Sequence, residues 1–194
     1  YNFVYTRTWN DETKQWLNEG KNVLLIPEKC KGRKAHFASH FWNPIMFNWN
    51  PMIVGTLIDN EHPAFRDFPT RNYADWQWWD ILNYSTALEL DELKEITPLI
   101  QSIDSYETNQ KLGISFEAKV GKGKLFVLCA DPEKKIDERP AMQQLLTSVR
   151  NYVSSGYFNP KSLPVYLLDA LFAPASEEKS GDKGSKAIEL LLNK

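Results

Sequence analysis

A chain of 194 residues, 42% hydrophobic and 25% charged, is long enough to bury a sizeable core in one globular domain and too apolar to stay disordered. A formal charge of −2 and a pI near 6.0 leave no basic stripe to follow a phosphate backbone, so nucleic acid is not an expected partner. No apolar run approaches the roughly 18 to 20 residues that span a bilayer, and YNFVYTRTW lacks the basic start and apolar stretch of a signal peptide, so no membrane partner is expected either.

The first third reads as strand, helix, strand. A short β segment over 3–6 precedes a helix over 11–19, for which Asn10 offers a cap, Asp11 and Glu12 suit the first turn, and Gly20 supplies a left-handed stop. The continuous apolar run Val23, Leu24, Leu25, Ile26 predicts a strand covered on both sides, as in parallel sheets. Residues 27–51 form a long irregular excursion carrying Cys30, His36, His40, Trp42 and Trp49. Loops of that length in compact domains are usually functional or packed on another module. A strand interrupted by Gly55 follows over 52–59.

The stretch HPAFRDFPTRNYADWQWWDIL, residues 62–82, gathers Trp76, Trp78 and Trp79 on one short helix. Pro63 and Pro69 keep the approach extended, and Thr70 or Asn72 can cap a helix that starts over 71–74. Trp76 and Trp79 share a face while Trp78 projects with Leu82. Two readings compete for these rings. Large aromatics dominate core energetics, which predicts that at least two of the three are buried. The alternative is a stacking platform for a sugar ring, with Asp75, Gln77 and Asp80 hydrogen-bonding hydroxyls, and Trp42, Trp49 and Trp78 as the candidate carbohydrate contacts.

Strands are expected over 86–90 and 99–104. Strict alternation over 112–120, with Leu112, Ile114, Phe116, Ala118 and Val120 on one side, predicts a half-exposed antiparallel strand that turns at Gly121-Lys122-Gly123 into a second strand over 124–130. Pro140 suits a first helical position, and Met142, Leu145, Leu146, Val149, Tyr152 and Val153 repeat at helical spacing up to Gly156. A further apolar helix fits 162–172. Together these elements predict an α/β fold: a three-layer, mainly parallel sheet from strands near Phe3, Val23, Ile53 and Leu125, with helices on both faces and the hairpin at one edge. The domain is expected over 1–172. Residues 173–194, rich in Ser, Gly, Lys and Glu, read as a linker or tail whose end, 187–192, has the composition of a last helical turn or two.

Five segments in order, HPAFRDFPT, DWQWWDIL, PLIQSID, KLGISFEAKVGKGKLFVL and QLLTSVRNYVSSGYFNP, resemble the C-terminal region of family 2 glycoside hydrolases, the β-galactosidase-like enzymes of Bacteroidetes, over about residues 3–160. The resemblance implies a parent enzyme that hydrolyses terminal β-glycosidic bonds, a periplasmic or secreted location, and neighbouring domains of that parent as partners. It implies no catalytic residue here. In that family the two glutamates lie on a (β/α)8 barrel, which takes about 200 to 250 residues, and this chain is too short to form one. The expectation is therefore a non-catalytic accessory domain that supports domain packing and contacts saccharide through exposed aromatics. An autonomous carbohydrate-binding module is the alternative, marked by two or more coplanar exposed indoles.

The predicted fold also resembles class I glutamine amidotransferases and flavodoxin-like domains, but without the catalytic cysteine. Neither Cys30 nor Cys129 has the glycine frame of that nucleophile, and no histidine follows His62. Cys129 reads as a small buried hydrophobe, and Cys30, beside Lys29, Lys31 and Arg33, as a free surface thiol. His36 and His40 stand four apart without a local acidic third ligand, so no metal is expected, and no cofactor. Gly121 and Gly123 join two strands and form no phosphate loop.

Overall fold

The structure, a computed structural model, describes residues 2–36, 53–106 and 108–172. Eight strands and four helices occur among them: β1 (Val4–Thr6), α1 (Asp11–Asn18), β2 (Asn22–Leu25), β3 (Gly32–Lys34), β4 (Gly55–Ile58), α2 (Trp76–Asn83), β5 (Thr86–Glu89), β6 (Ile100–Ile103), β7 (Lys111–Val120), β8 (Gly123–Leu128), α3 (Pro140–Val153) and α4 (Val165–Phe172). All eight strands belong to one sheet, along the path β1-β2-β8-β7-β5-β3 with β6 on β7 and β4 on β6.

The expected α/β fold is present, but the sheet is mixed and mostly antiparallel. Only β1 with β2 and β2 with β8 run parallel; the other five pairings are antiparallel. The apolar runs signalled burial on both faces correctly, since Val23, Leu24 and Leu25 are fully buried, yet burial carries no information about direction. The hairpin of β7 and β8 lies in the middle of the sheet rather than at its edge, because β7 also pairs with β5 and β6. Its polar-looking side is covered at Gly113 and Ser115, while Glu117 is partly open and Lys119 exposed. Gly113 and Ser115 are small enough to be buried, and the Ser115 hydroxyl donates to the Val127 carbonyl at 2.8 Å.

Helices pack on both sides. On one, Asn22 Nδ2 donates to the Val153 carbonyl at 2.8 Å, and Phe126 meets Tyr152 edge-on at 6.0 Å, which fixes α3 over β2 and β8. On the other, a Cβ at Gly123 would stand 2.6 Å from the Leu17 and Lys21 carbonyl oxygens, so only glycine allows α1 to approach β8 this closely. Helix α4 joins α1 on that side: Asp169 accepts from the Trp9 indole at 2.8 Å and pairs with Lys14 at 2.7 Å. Those contacts hold the Asp169 carboxyl below its ordinary range, with the Lys14 hydrogen bond the largest cause.

Local signals set the helix ends. Asn10 caps α1, its side chain accepting from the Thr13 amide at 2.9 Å, and Gly20 stops it at φ +88°. Pro140 occupies the first turn of α3, whose periodic apolar side chains are all buried. Helix α2 starts later than predicted. The backbone over 72–74 is taken up by β4, with the Ile58 amide donating to the Asn72 carbonyl and the Ala74 amide to the Thr56 carbonyl, both at 3.0 Å, so helical turns begin only at Trp76. Asp75, rather than Thr70 or Asn72, is the cap and accepts from the Gln77 amide at 3.3 Å. The expected tail over 173–194 lies outside the described residues.

Candidate functional site

The HPAFRDF segment is a tether. His62 leads into a 3₁₀ turn over Pro63–Phe65, and its Nδ1 accepts from the Ala64 amide at 3.3 Å. From α3, the buried Ser148 hydroxyl donates to the Ala64 carbonyl at 2.7 Å and accepts from the Asp67 amide at 3.0 Å, while Asn151 donates to the Asp67 carboxylate at 2.7 Å. Phe65 and Phe68 are thereby set edge-on against Trp78, at 6.3 and 5.2 Å between ring centroids. Trp78 is fully buried, and its indole N–H is satisfied by Thr70 Oγ1 at 2.8 Å.

This placement corrects two expectations. Trp78 offers no face to a sugar, and it is the only one of the three helix indoles in the core: Trp76 is 87% exposed and Trp79 50%. The stripe Trp78, Ile81 and Leu82, spaced at i, i+3 and i+4 and all buried, is the signal that separates them. Trp76 and Trp79 instead line an apolar pocket of about 310 Å³ with Ala74, Asp75 and Leu82. Their ring centroids are 6.3 Å apart and their planes inclined at 53°, so the pair forms a wedge rather than a flat platform. Trp42 and Trp49, the other candidate carbohydrate contacts, and His40 lie outside the described residues.

The polar groups beside this face are engaged within the protein. Asp75 caps α2, Gln77 Nε2 donates to the Pro69 carbonyl at 2.9 Å, and Asp80 receives Arg139 Nε at 2.8 and 2.9 Å. Arg139 is itself buried. It donates to the Asp131 and Lys134 carbonyls at 2.7 and 3.0 Å and lies 4.3 Å from the Tyr84 ring, joining α2 to the start of α3.

A second cluster was not legible in the sequence, because its members lie far apart along the chain. Glu117 on β7 accepts from the Tyr152 hydroxyl at 2.9 Å, and His62 Nε2 stands 3.6 Å from its other oxygen. Burial and then the Glu117 charge raise the Tyr152 pKa, which keeps the phenol a donor. The adjacent cleft between the tether and α3 holds about 50 Å³, far below the roughly 300 Å³ at which ligand pockets begin. Among the described residues His62 has Ala64, Glu117 and the Tyr152 ring as partners and no serine or cysteine, and the Ser148 hydroxyl is committed to the tether. The cluster fastens β7 to α3.

The thiols depart from expectation in one respect. Cys129 is buried, as predicted, and Cys30 is a free thiol as predicted but half-buried rather than fully at the surface. Hydrogen bonds from the Cys129 thiol and then the Thr86 hydroxyl lower the Cys30 pKa against the opposing effect of burial, whereas burial pushes Cys129 up. Among the described residues no group of three His, Cys, Asp or Glu side chains is placed to hold a metal ion, and no helix is long and apolar enough to cross a membrane.

Fold and site together define an α/β module built on a mixed eight-stranded sheet and carrying an exposed aromatic wedge on one short helix. Over residues 4–173 the chain matches a family described as a domain of unknown function, DUF8487, and it belongs to that family. Among curated proteins none matches it.

Proposed function

We propose that this chain is a non-catalytic accessory domain of a β-galactosidase-like glycoside hydrolase, and that the Trp76 and Trp79 face of α2 packs against a neighbouring domain of that parent. The enzyme class comes from the resemblance of the five ordered segments to the C-terminal region of family 2 enzymes. The observation that carries the packing role is the wedge itself: two exposed indoles beside an apolar pocket, with Asp75, Gln77 and Asp80 all turned to internal bonds. Orienting a sugar takes a few convergent polar groups with free hydrogen-bonding capacity. A large aromatic in an apolar pocket is, by contrast, the anchor that interfaces between domains use.

The alternative, an autonomous carbohydrate-binding module, called for coplanar exposed indoles, and the 53° inclination of Trp76 to Trp79 counts against it. One experiment separates the readings. The isolated chain is titrated calorimetrically with galactosides, glucosides and mannosides and assayed on their chromogenic β-glycosides, in parallel with the protein from the full reading frame. The accessory reading expects neither sugar binding nor turnover from the isolated chain, and glycosidase activity from the full protein. Tight sugar binding lost in Trp76→Ala would promote the binding module. Turnover abolished by replacing a single Asp or Glu of this chain would make it an enzyme.

A further inference from the structure

Strands β4 and β6 present their side chains in the reverse of the order that water favours. Gly55 pairs with Ile103, Thr56 with Ser102 and Leu57 with Gln101, and Leu57 also meets Tyr73 on the strand-like stretch before α2. Side chains paired across strands share a face, so Thr56 and Ser102 point together to the interior, while Leu57, Tyr73 and Ile103 point together to the outside. The polar pair is buried, and neither hydroxyl has a hydrogen-bond partner among the described residues. The apolar set is 38 to 46% exposed. A slip of one residue would put Leu57 and Ile103 inside and the two hydroxyls in water, and a sheet with one face in solvent takes the register that does so. The pattern here suits an outer face that is covered.

Charge is kept away from this face. Ile103 lies over Gly55, where an added Cβ would stand 3.4 Å from Ile103 Cδ1, and Lys111, paired with Ile103 from β7, gives its ammonium to the Leu93 and Ile96 carbonyls at 2.9 and 2.6 Å. Tyr73 leads through Ala74 to Trp76, and Ala74 lines the pocket that Trp76 and Trp79 share, so residues 73–76 join the sheet face to the wedge. Two indoles supply at most about 300 to 500 Å², short of the roughly 800 Å² that each side of a standard interface contributes. The sheet face is the adjoining apolar surface that makes up the difference. We propose that the outer face of β4 and β6, with Tyr73, is the second part of the surface by which this chain packs on a neighbouring domain of its parent, and that the neighbour is apolar and uncharged where it meets Leu57, Tyr73 and Ile103. This rests on the accessory-domain reading and extends it from one helix to a sheet face.

Hydroxyl-radical footprinting read by mass spectrometry tests this on the isolated chain and on the protein from the full reading frame, with sedimentation giving the oligomeric state of the isolated chain. The expected result is a monomeric isolated chain in which Leu57, Tyr73 and Ile103 are labelled, and loss of that labelling in the full protein together with that of Trp76 and Trp79. Protection of the two indoles while Leu57, Tyr73 and Ile103 stay labelled would overturn the proposal and leave the packing role of α2 standing. Labelling of all five in the full protein would remove both. A sheet face already protected in the monomeric isolated chain would show that another segment of this chain covers it, and protection that accompanies dimerisation of the isolated chain would show that a second copy does. Either result would overturn the neighbouring domain as the occupant.

Discussion

The indole N–H of Trp78 meets the Thr70 hydroxyl at 2.8 Å across eight residues of chain, and this bond seats α2 on the tether that precedes it. Trp78 is fully buried between Phe65 and Phe68, so its truncation leaves a large cavity. Trp78→Ala should cost about 3 to 5 kcal/mol, a large part of the roughly 5 to 15 that holds a domain folded. Trp76→Ala, at a position 87% exposed, should stay within about 0.5 kcal/mol. Thr70→Val, which orphans the buried indole N–H, should fall between, at about 1 to 3 kcal/mol. Urea midpoints of the three variants measure this order, and equal midpoints for Trp78→Ala and Trp76→Ala would contradict the burial described for α2.

Arg139 sits at the junction of α2 and α3 with its guanidinium almost wholly out of water, bonded to the Asp80 carboxylate and to two carbonyls. Replacing it by methionine leaves those carbonyls without donors, but Asp80 keeps 35% of its side chain in water, so the cost should fall below the roughly 3 to 5 kcal/mol of breaking a fully buried pair. Arg139→Lys should recover little, because one ammonium cannot reproduce the planar fork that reaches Asp80, Asp131 and Lys134 together. Thermal unfolding followed by circular dichroism gives the comparison. A lysine variant as stable as the parent would mean that charge alone matters at this junction.

Much of the fold was legible, and its misreadings share one cause. The Asn10 cap, the Gly20 stop, the hairpin turn and the α3 stripe are local signals, each contained within a few residues, and all are found as expected. Strand direction, the central position of the hairpin and the late start of α2 depend on partners distant in sequence. The backbone over 72–74 is strand-like only because β4 runs beside it, and β7 is central only because β5 and β6 also pair with it. At the site, the spacing of Trp78, Ile81 and Leu82 carried enough information to assign the core indole, whereas the aromatic count of the helix did not. The grouping of His62, Glu117 and Tyr152 had no local signal at all.

Asp104 gives the molecule an acid-sensitive point. Burial opposes its ionisation, but the Gln110 amide at 2.7 Å, the Thr108 hydroxyl at 2.6 Å, the Arg33 guanidinium and the Ser105 amide at 2.7 Å outweigh burial and hold its carboxyl below the ordinary value. A folded pKa below the unfolded one, about 3.9, contributes stability that is fully present above that value and lost as pH falls through the folded pKa. Unfolding free energy should therefore decline below about pH 4, and Asp104→Asn, less stable than the parent at pH 7, should show a shallower decline there. Parallel pH profiles for parent and variant would show that Asp104 does not supply this slope.

The packing role of α2 makes a prediction in which stability and association part company. Trp76 and Trp79 contribute little to the fold of this domain, since both are half-exposed or more. If they anchor a neighbouring domain, their burial there should behave as at other aromatic anchors, where truncation costs about 2 kcal/mol or more, roughly a 30-fold loss of affinity. The double variant Trp76→Ala, Trp79→Ala should leave the denaturation midpoint of the isolated chain within error, while in the protein from the full reading frame it should raise hydrogen exchange along α2 and loosen the domain in limited proteolysis. Replacing the buried Trp78 should reverse the pattern, lowering the midpoint of the isolated chain as well. Unchanged exchange and proteolysis in the full protein carrying the double variant, with the α2 face still open to solvent, would remove the packing role from this helix.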